Sequence, residues 1–310
     1  MVKHHAPLKI GTRKSALAMK QTEMVCDALR AAQPDIQLEI IPVETFGDST
    51  QKQNLSLVDH GGKALWASEH EAAMRAGDVD FAVHSTKDIP GILDDDMVMP
   101  FFLPRADARD VFLSSKADHY MDLPTGATLG TSSPRRAAIV LSKRPDIKIE
   151  TFRGNVGTRL QKIADGVVDA TFLAAAGMKR GGYDDHIQTI LEADDMIPAV
   201  GQGAIGLEFL KTRDDLVDIL APIHCEKTGV CVKAERAWLA GMGGSCRSPL
   251  AAYAEWDGRE LFLRAFASDL KGQDVKLRQV KTPVRNESDA EAVGHALAQE
   301  MLKDMPKGFV

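Results

Sequence analysis

Short apolar runs alternate along the chain with longer runs whose apolar positions recur every three or four residues. That is the rhythm of an α/β protein. Leu8-Lys9-Ile10-Gly11 reads as a strand. Residues 15–33 carry Leu17, Met24, Val25, Ala28 and Leu29 on one helical stripe, which Pro34 ends. Residues 36–43 are strand-like, residues 64–76 predict a helix stopped by Gly77, and Val79, Phe81 and Val83 alternate as a strand.

The same order then recurs. Ile10-Gly11-Thr12-Arg13-Lys14-Ser15 returns loosely as Leu129-Gly130-Thr131-Ser132-Ser133-Pro134-Arg135-Arg136. Pro34-Asp35-Ile36 returns as Pro145-Asp146-Ile147, and Gly77-Asp78-Val79-Asp80 as Gly166-Val167-Val168-Asp169. The spacing shrinks between copies, so the first holds an extra polar segment, residues 46–62. Two α/β lobes facing each other across a cleft, with that segment as a lid, are the expected arrangement.

Residues 100–109, with two prolines, suit a crossover between the copies, and the Gly-rich residues 197–206 suit a return. A different pattern follows: a helix over residues 230–240, a Gly-rich turn holding Cys246, strands over 250–256 and 260–268 joined at Asp257-Gly258, and a closing helix over 288–303. The expected fold is therefore α/β, two lobes plus a smaller α+β C-terminal domain. Domain 1 is residues 1–104 with 199–220, domain 2 is 105–198, and domain 3 is 221–310.

Composition narrows the chemistry. The chain has 310 residues, and its 38 Lys and Arg against 44 Asp and Glu give a net charge of −6, which argues against a general nucleic-acid or anionic-membrane binder. No stretch approaches the roughly 18 apolar residues of a membrane span, and the first residues lack a signal peptide's apolar core. The four cysteines (Cys26, Cys225, Cys231 and Cys246) form no C-x-x-C pair and read as reduced thiols of a cytoplasmic protein. Cys225 and Cys231 with His224 lack metal spacing, so no metal site is expected.

In an acidic protein, clustered arginines need a local reason. Gly11-Thr12-Arg13-Lys14-Ser15, Gly130-Thr131-Ser132-Ser133-Pro134-Arg135-Arg136 and Arg153-Gly154-Asn155-Val156-Gly157-Thr158-Arg159 each sit between a strand and a helix start. There, free backbone N–H groups and the positive helix end favour an anion. Either these arginines are solvated surface charge or they share an anion pocket; repetition at three corners favours the pocket. Neither Gly run is a P-loop or dinucleotide fingerprint, and guanidinium forks suit carboxylates as well as phosphates. The strand ending in His84-Ser85-Thr86-Lys87-Asp88-Ile89-Pro90 brings Asp88 to the ligand-binding end of a sheet, as a functional acid or a turn residue. Cys246, between Gly243-Gly244-Ser245 and Arg247-Ser248-Pro249, is either an accessible thiol or inert packing.

These segments, with Ala199-Val200-Gly201-Gln202-Gly203-Ala204, resemble the porphobilinogen deaminases, or hydroxymethylbilane synthases, in the family's order from Ile10 to past Pro249. The resemblance implies two lobes like those of a periplasmic binding protein, each with a mixed sheet, and a third domain. It implies a transferase that links four porphobilinogen units head to tail, with loss of ammonia, to give hydroxymethylbilane in tetrapyrrole biosynthesis. Priming is by a dipyrromethane cofactor held through a thioether, here on Cys246 by the Cys-x-x-Pro spacing to Pro249. The catalytic aspartate falls on Asp88. Cofactor contacts fall on Arg13, Ser85, Lys87, Thr131, Ser133, Arg135 and Arg136, and substrate contacts on Arg13, Lys63, Arg153 and Arg159. A cytoplasmic monomer, passing its product to uroporphyrinogen-III synthase, is the implied setting. Two departures stand out: Ser245 directly precedes the cysteine where many members have Gly, and Ser68 stands where many have Lys.

The residues and the implied chemistry agree. Each pyrrole carries an acetate and a propionate, so a growing chain adds two negative charges per unit, and each charge-assisted bond contributes roughly 1.5–3 kcal/mol. An ordinary aspartate, with a pKa of about 3.9, is ionised at neutral pH and suits a fixed negative charge beside a cationic azafulvene. A thiolate is a suitable soft nucleophile for the same species. The rival readings are a solute-binding protein, a phosphoribosyltransferase-like enzyme and a thiol hydrolase.

Overall fold

A computed structural model describes residues 6–44, 68–244 and 248–305. The segment 46–62, Lys63 and Cys246 lie outside them. The chain divides into two compact units, Met1–Arg105 with Ala204–Gly229, and Ala106–Gly203 with Val230–Val310.

Strand β1 (Leu8–Arg13) leads into helix α1 (Ala16–Ala32), whose N-cap Ser15 accepts a hydrogen bond from the Ala18 N–H at 3.3 Å. The helix buries Val25, Cys26 and Leu29, and with them the polar Gln21 and Thr22. Strand β2 (Leu38–Val43) follows, then helix α2 (Ser68–Ala76), β3 (Phe81–Ser85) and β4 (Met97–Phe102). Strand β3 begins two residues later than the alternation at Val79 predicts, because the chain first turns through Gly77, at φ 76°, and Asp80. The expected crossover at 100–109 begins inside β4. Pro100 fits there because β4 is a sheet edge, where a missing N–H removes no ladder bond.

The second copy runs β5 (Asp110–Ser114), β6 (Thr128–Gly130), α3 (Pro134–Lys143), β7 (Lys148–Glu150), α4 (Val156–Ala164), β8 (Ala170–Ala174), α5 (Ala175–Arg180) and β9 (Thr189–Ile190). The chain then returns as β10 (Ile205–Leu210), inserted antiparallel between β3 and β4. The two five-stranded sheets, β2-β1-β3-β10-β4 and β7-β6-β8-β5-β9, have the same plan. Three parallel strands are extended by an antiparallel fourth, so both sheets are mixed.

The repeated Gly-x-Val-Asp acquires a physical reason from this plan. Asp80 accepts from the Lys9 N–H at 2.7 Å and donates its own N–H to the Lys9 carbonyl at 2.8 Å. Asp169 does the same with Thr128, at 2.8 and 3.0 Å. In each lobe the aspartate thus clamps the third strand to the start of the first. Ile10, Leu29 and Phe81 fill one core, and Phe112, Leu129 and Phe172 the other.

Beyond α6 (Asp214–Leu220), helix α7 (Glu226–Gly241) leads to the antiparallel sheet β11 (Leu250–Trp256), β12 (Glu260–Ala267) and β13 (Lys276–Pro283), closed by α8 (Glu287–Lys303). At the predicted Asp257-Gly258 hairpin, the Asp257 carboxylate accepts from the Arg259 and Glu260 N–H groups at 2.9 and 2.8 Å. The pattern did not announce β13, an edge strand with few apolar residues, one of which (Leu277) is 49% exposed. Trp238 on α7 is fully buried, and Gly294 lets α8 approach α7, since a Cβ there would collide with the Ala234 carbonyl oxygen.

Candidate functional site

In the first unit, strand ends converge on the start of a helix. Strand β1 delivers Arg13 beside the capped N-terminus of α1, and β3 runs into a 3-10 turn, Thr86–Asp88. Thr86 is buried, and its N–H donates to the Ala204 carbonyl at 3.1 Å, which fixes the turn against the start of β10. An open concavity results, lined among others by Arg13, Ser15, Gln21, His84, Ser85 and Asp88. Arg13, Ser85 and Asp88, separated by up to 75 positions in sequence, are thus brought together. The Ser85 hydroxyl donates to Gln21 Oε1 at 2.9 Å. Lys87 belongs to the same turn.

His84, one of the lining residues, also belongs to a buried polar cluster. His84 Nε2 is 2.8 Å from Glu208 Oε2 on β10, with side chains 5% and 0% exposed. The His70 ring meets His84 edge-on at 5.2 Å. Glu71, next to His70 on α2, is pushed up to about 7, first by burial and then by the charges of Glu208 and Asp94, against the pull of Arg75.

In the second unit β6 ends at Gly130, and the hydroxyls that follow organise the turn. Thr131 Oγ1 accepts from the Ser133 N–H at 3.1 Å, Ser133 Oγ caps α3 by accepting from the Arg136 N–H at 3.5 Å, and Pro134 occupies the first helical turn. Ser132 Oγ donates to the Phe152 carbonyl at 3.1 Å and accepts from its N–H at 3.2 Å, joining this corner to the next. That next corner holds Arg153, and Asn155 caps α4.

The arginines of α3 point inward. Arg135 and Arg136 are only 4% and 6% exposed. They share the carboxylate of Asp110, which is fully buried: Arg135 reaches Oδ2 at 2.8 Å and Arg136 reaches Oδ1 at 2.6 Å. A second terminal nitrogen of each donates to a carbonyl, Ile197 for Arg135 at 2.7 Å and Phe172 for Arg136 at 2.9 Å. Gln202 Nε2 adds a bond to Asp110 Oδ1 at 3.1 Å. Burial alone would raise the Asp110 carboxyl, yet the two guanidiniums hold it well below the usual carboxylate range. Burial lowers Arg135 despite Asp110. Arg159 is brought down to about 10, by burial first and then by the like charge of Arg136. Arg180 also falls to about 10 through burial, and donates to the Gly203 carbonyl at 2.7 Å. Arg135 and Arg136 thus share Asp110 as a counter-charge, and Arg159 feels the like charge of Arg136.

Sequence reading passed over several of these residues. Gln21 carries a signal in hindsight, a polar residue on the apolar stripe of α1. Asp110 heads an apolar strand and Arg180 ends a short helix, and neither stands out locally.

Two mixed sheets of one plan, each with a basic strand-to-helix corner, define a lobed α/β protein with cation-rich corners. Residues 8–218 match the family described as porphobilinogen deaminase, dipyromethane cofactor binding domain, and residues 230–303 match the porphobilinogen deaminase C-terminal domain. The chain is 43% identical over 295 residues to the porphobilinogen deaminase of Roseiflexus castenholzii, covering 95% of both chains. It is 43% identical over 303 residues to that of Nitrobacter winogradskyi, covering 97% of this chain and 94% of the relative. Among solved structures it is similar to the second substrate binding domain of a putative amino acid ABC transporter from Streptococcus pneumoniae, at 15% identity and a TM-score of 0.44 over 69% of this chain and 90% of that one. The chain belongs to the porphobilinogen deaminase family, transferases that polymerise porphobilinogen and carry a dipyrromethane cofactor.

Proposed function

We propose that this chain joins four porphobilinogen units into hydroxymethylbilane, with Asp88 as the catalytic group and Cys246 as the thioether anchor of dipyrromethane. The observation that carries the reading is the meeting of Arg13 and Asp88 in one concavity of the first unit. The dipyrromethane, when bound, supplies the pyrrole to which the first substrate unit is joined. The described residues suit its acidic side chains. Arg135 Nε and Arg136 Nε are buried donors without a hydrogen-bond partner among the described residues, and guanidiniums accept nothing. Such donors call for carboxylates.

Within this reading Arg13, Ser85, Lys87, Thr131, Ser133, Arg135 and Arg136 hold the cofactor, and Arg13, Lys63, Arg153 and Arg159 hold the substrate. In each condensation the C–N bond of the substrate's aminomethyl group breaks, and the nitrogen leaves as ammonia with the electron pair. A C–C bond forms to the receiving pyrrole, whose displaced proton completes an ammonium ion. Positive charge develops on the substrate's methylene-pyrrole as the C–N bond opens. The Asp88 carboxylate stabilises that charge and holds the pyrrole N–H. Arg13 keeps the acidic side chains in register beside it. The division into domain 1 (1–104 with 199–220), domain 2 (105–198) and domain 3 (221–310) belongs to the same reading. So does a cytoplasmic monomer that hands its product to uroporphyrinogen-III synthase, which sedimentation and a coupled assay test. Among the described residues no helix is long and apolar enough to cross a membrane.

The deciding experiment is the intact mass of the denatured protein. A dipyrrole-sized adduct, absent in Cys246→Ser, is expected; an unmodified wild-type chain after incubation with porphobilinogen would refute the reading. Asp88→Ala is expected to keep the fold, measured by circular dichroism, and to lower turnover by about 100–1,000-fold. A near-normal kcat would remove Asp88 from the mechanism.

A further inference from the structure

The buried ion cluster of the second unit is larger than charge neutralisation requires. Asp110 opens β5, the strand added antiparallel beside β8, and its two oxygens go to different arginines. Each arginine is then gripped a second time, by a carbonyl on a separate segment: Phe172 within β8 and Ile197 on the loop beyond β9. Gln202 braces the carboxylate and also donates to the Ala108 carbonyl at 2.6 Å. Two guanidiniums are thereby held at both terminal nitrogens, with rotation about their long side chains stopped. What remains is the Nε–H of each, buried and without a hydrogen-bond partner among the described residues. One carboxylate between two guanidiniums, with Arg159 close enough to feel Arg136, leaves net positive charge in a dry place. That arrangement is costly by itself and is relieved by an anion.

We infer that Asp110 is a positioning residue, which sets the guanidiniums of Arg135 and Arg136 in the orientation that receives the carboxylates of the dipyrromethane. The inference rests on the proposed reading that these two arginines hold the cofactor. Asp110 touches neither cofactor nor substrate in this role; it acts through the arginines. A small misplacement of such a group is enough to slow a reaction by orders of magnitude. A purely structural ion cluster would behave differently, because its loss would weaken the empty and the loaded protein alike.

The test compares the whole chain, wild type and variants, before and after loading with porphobilinogen. It reads the unfolding midpoint in each state and the loading rate by intact mass. In Asp110→Asn the rise in midpoint on loading is expected to shrink by more than half, and loading to slow at least about tenfold. Arg136→Gln is expected to do the same, and the double variant to load no more slowly than Arg136→Gln. Equal drops in both midpoints, with loading at the wild-type rate in Asp110→Asn, overturn the inference. If Arg136→Gln and Arg135→Gln both load normally with the full rise, the cofactor-binding reading fails instead. Should Asp110→Asn not fold, Asp110→Glu keeps the charge and displaces it. Slowed loading in that variant supports positioning, and wild-type loading refutes it.

Discussion

Replacing Glu71 with Gln tests the electrostatics of the first unit most directly. Glu71 is 7% exposed on α2, and burial, Glu208 and Asp94 together lift its carboxyl from 4.5 to about 7, while Arg75, 3.8 Å away, pulls the other way. A folded-state pKa above the unfolded one means that the folded protein holds the proton more tightly. The associated stability is fully present below pH 4.5, declines as pH rises towards 7, and is lost above it. The move from 4.5 to about 7 corresponds to about 3 kcal/mol, as an upper figure. Gln copies the protonated form, including a donor towards Asp94. It leaves Arg75 paired with Asp94 at 2.8 Å and Asp96 at 2.7 Å, so no buried charge is orphaned. The variant should therefore gain about 3 kcal/mol at pH 8 and less than about 1 kcal/mol at pH 5. At pH 8 the unfolding midpoint should rise by roughly 6–12 °C. Thermal melts of both proteins at the two pH values decide the matter. A gain of equal size at both, or a loss at pH 8, would refute the reasoning.

Two further outcomes are expected. Arg159→Gln should stall elongation, so that intact-mass spectra of enzyme incubated with porphobilinogen show intermediate adducts absent from wild type; full-rate turnover with no stalled species would count against its substrate role. Gly294→Ala should lower stability by about 1–3 kcal/mol in chemical denaturation, because α8 must move off the Ala234 carbonyl; an unchanged midpoint would show that the helices have slack.

Much of this protein was legible in the order of its residues. Ser15, Pro134 and Asn155 mark helix starts because capping is settled within three or four residues of the cap. The two Gly-x-Val-Asp segments betray the repeated sheet, since each aspartate clamps a strand end in the same way. The resemblance to a family also rested on short contiguous runs.

Partnerships between distant residues were not legible. Asp110 meets arginines 25 and 26 positions later and Gln202 at 92, and Glu208 meets His84 only because β10 returns to lie beside β3. Local propensity is written in neighbouring side chains. Ion pairing across a sheet depends on which strand lies next to which, and burial then sets what each charge costs. The sequence by itself determined the elements, the repeat and the residue types at each corner. Tertiary structure alone decided that Arg135 and Arg136 turn inward onto a shared acid, because only the assembled sheet carries Asp110 to them.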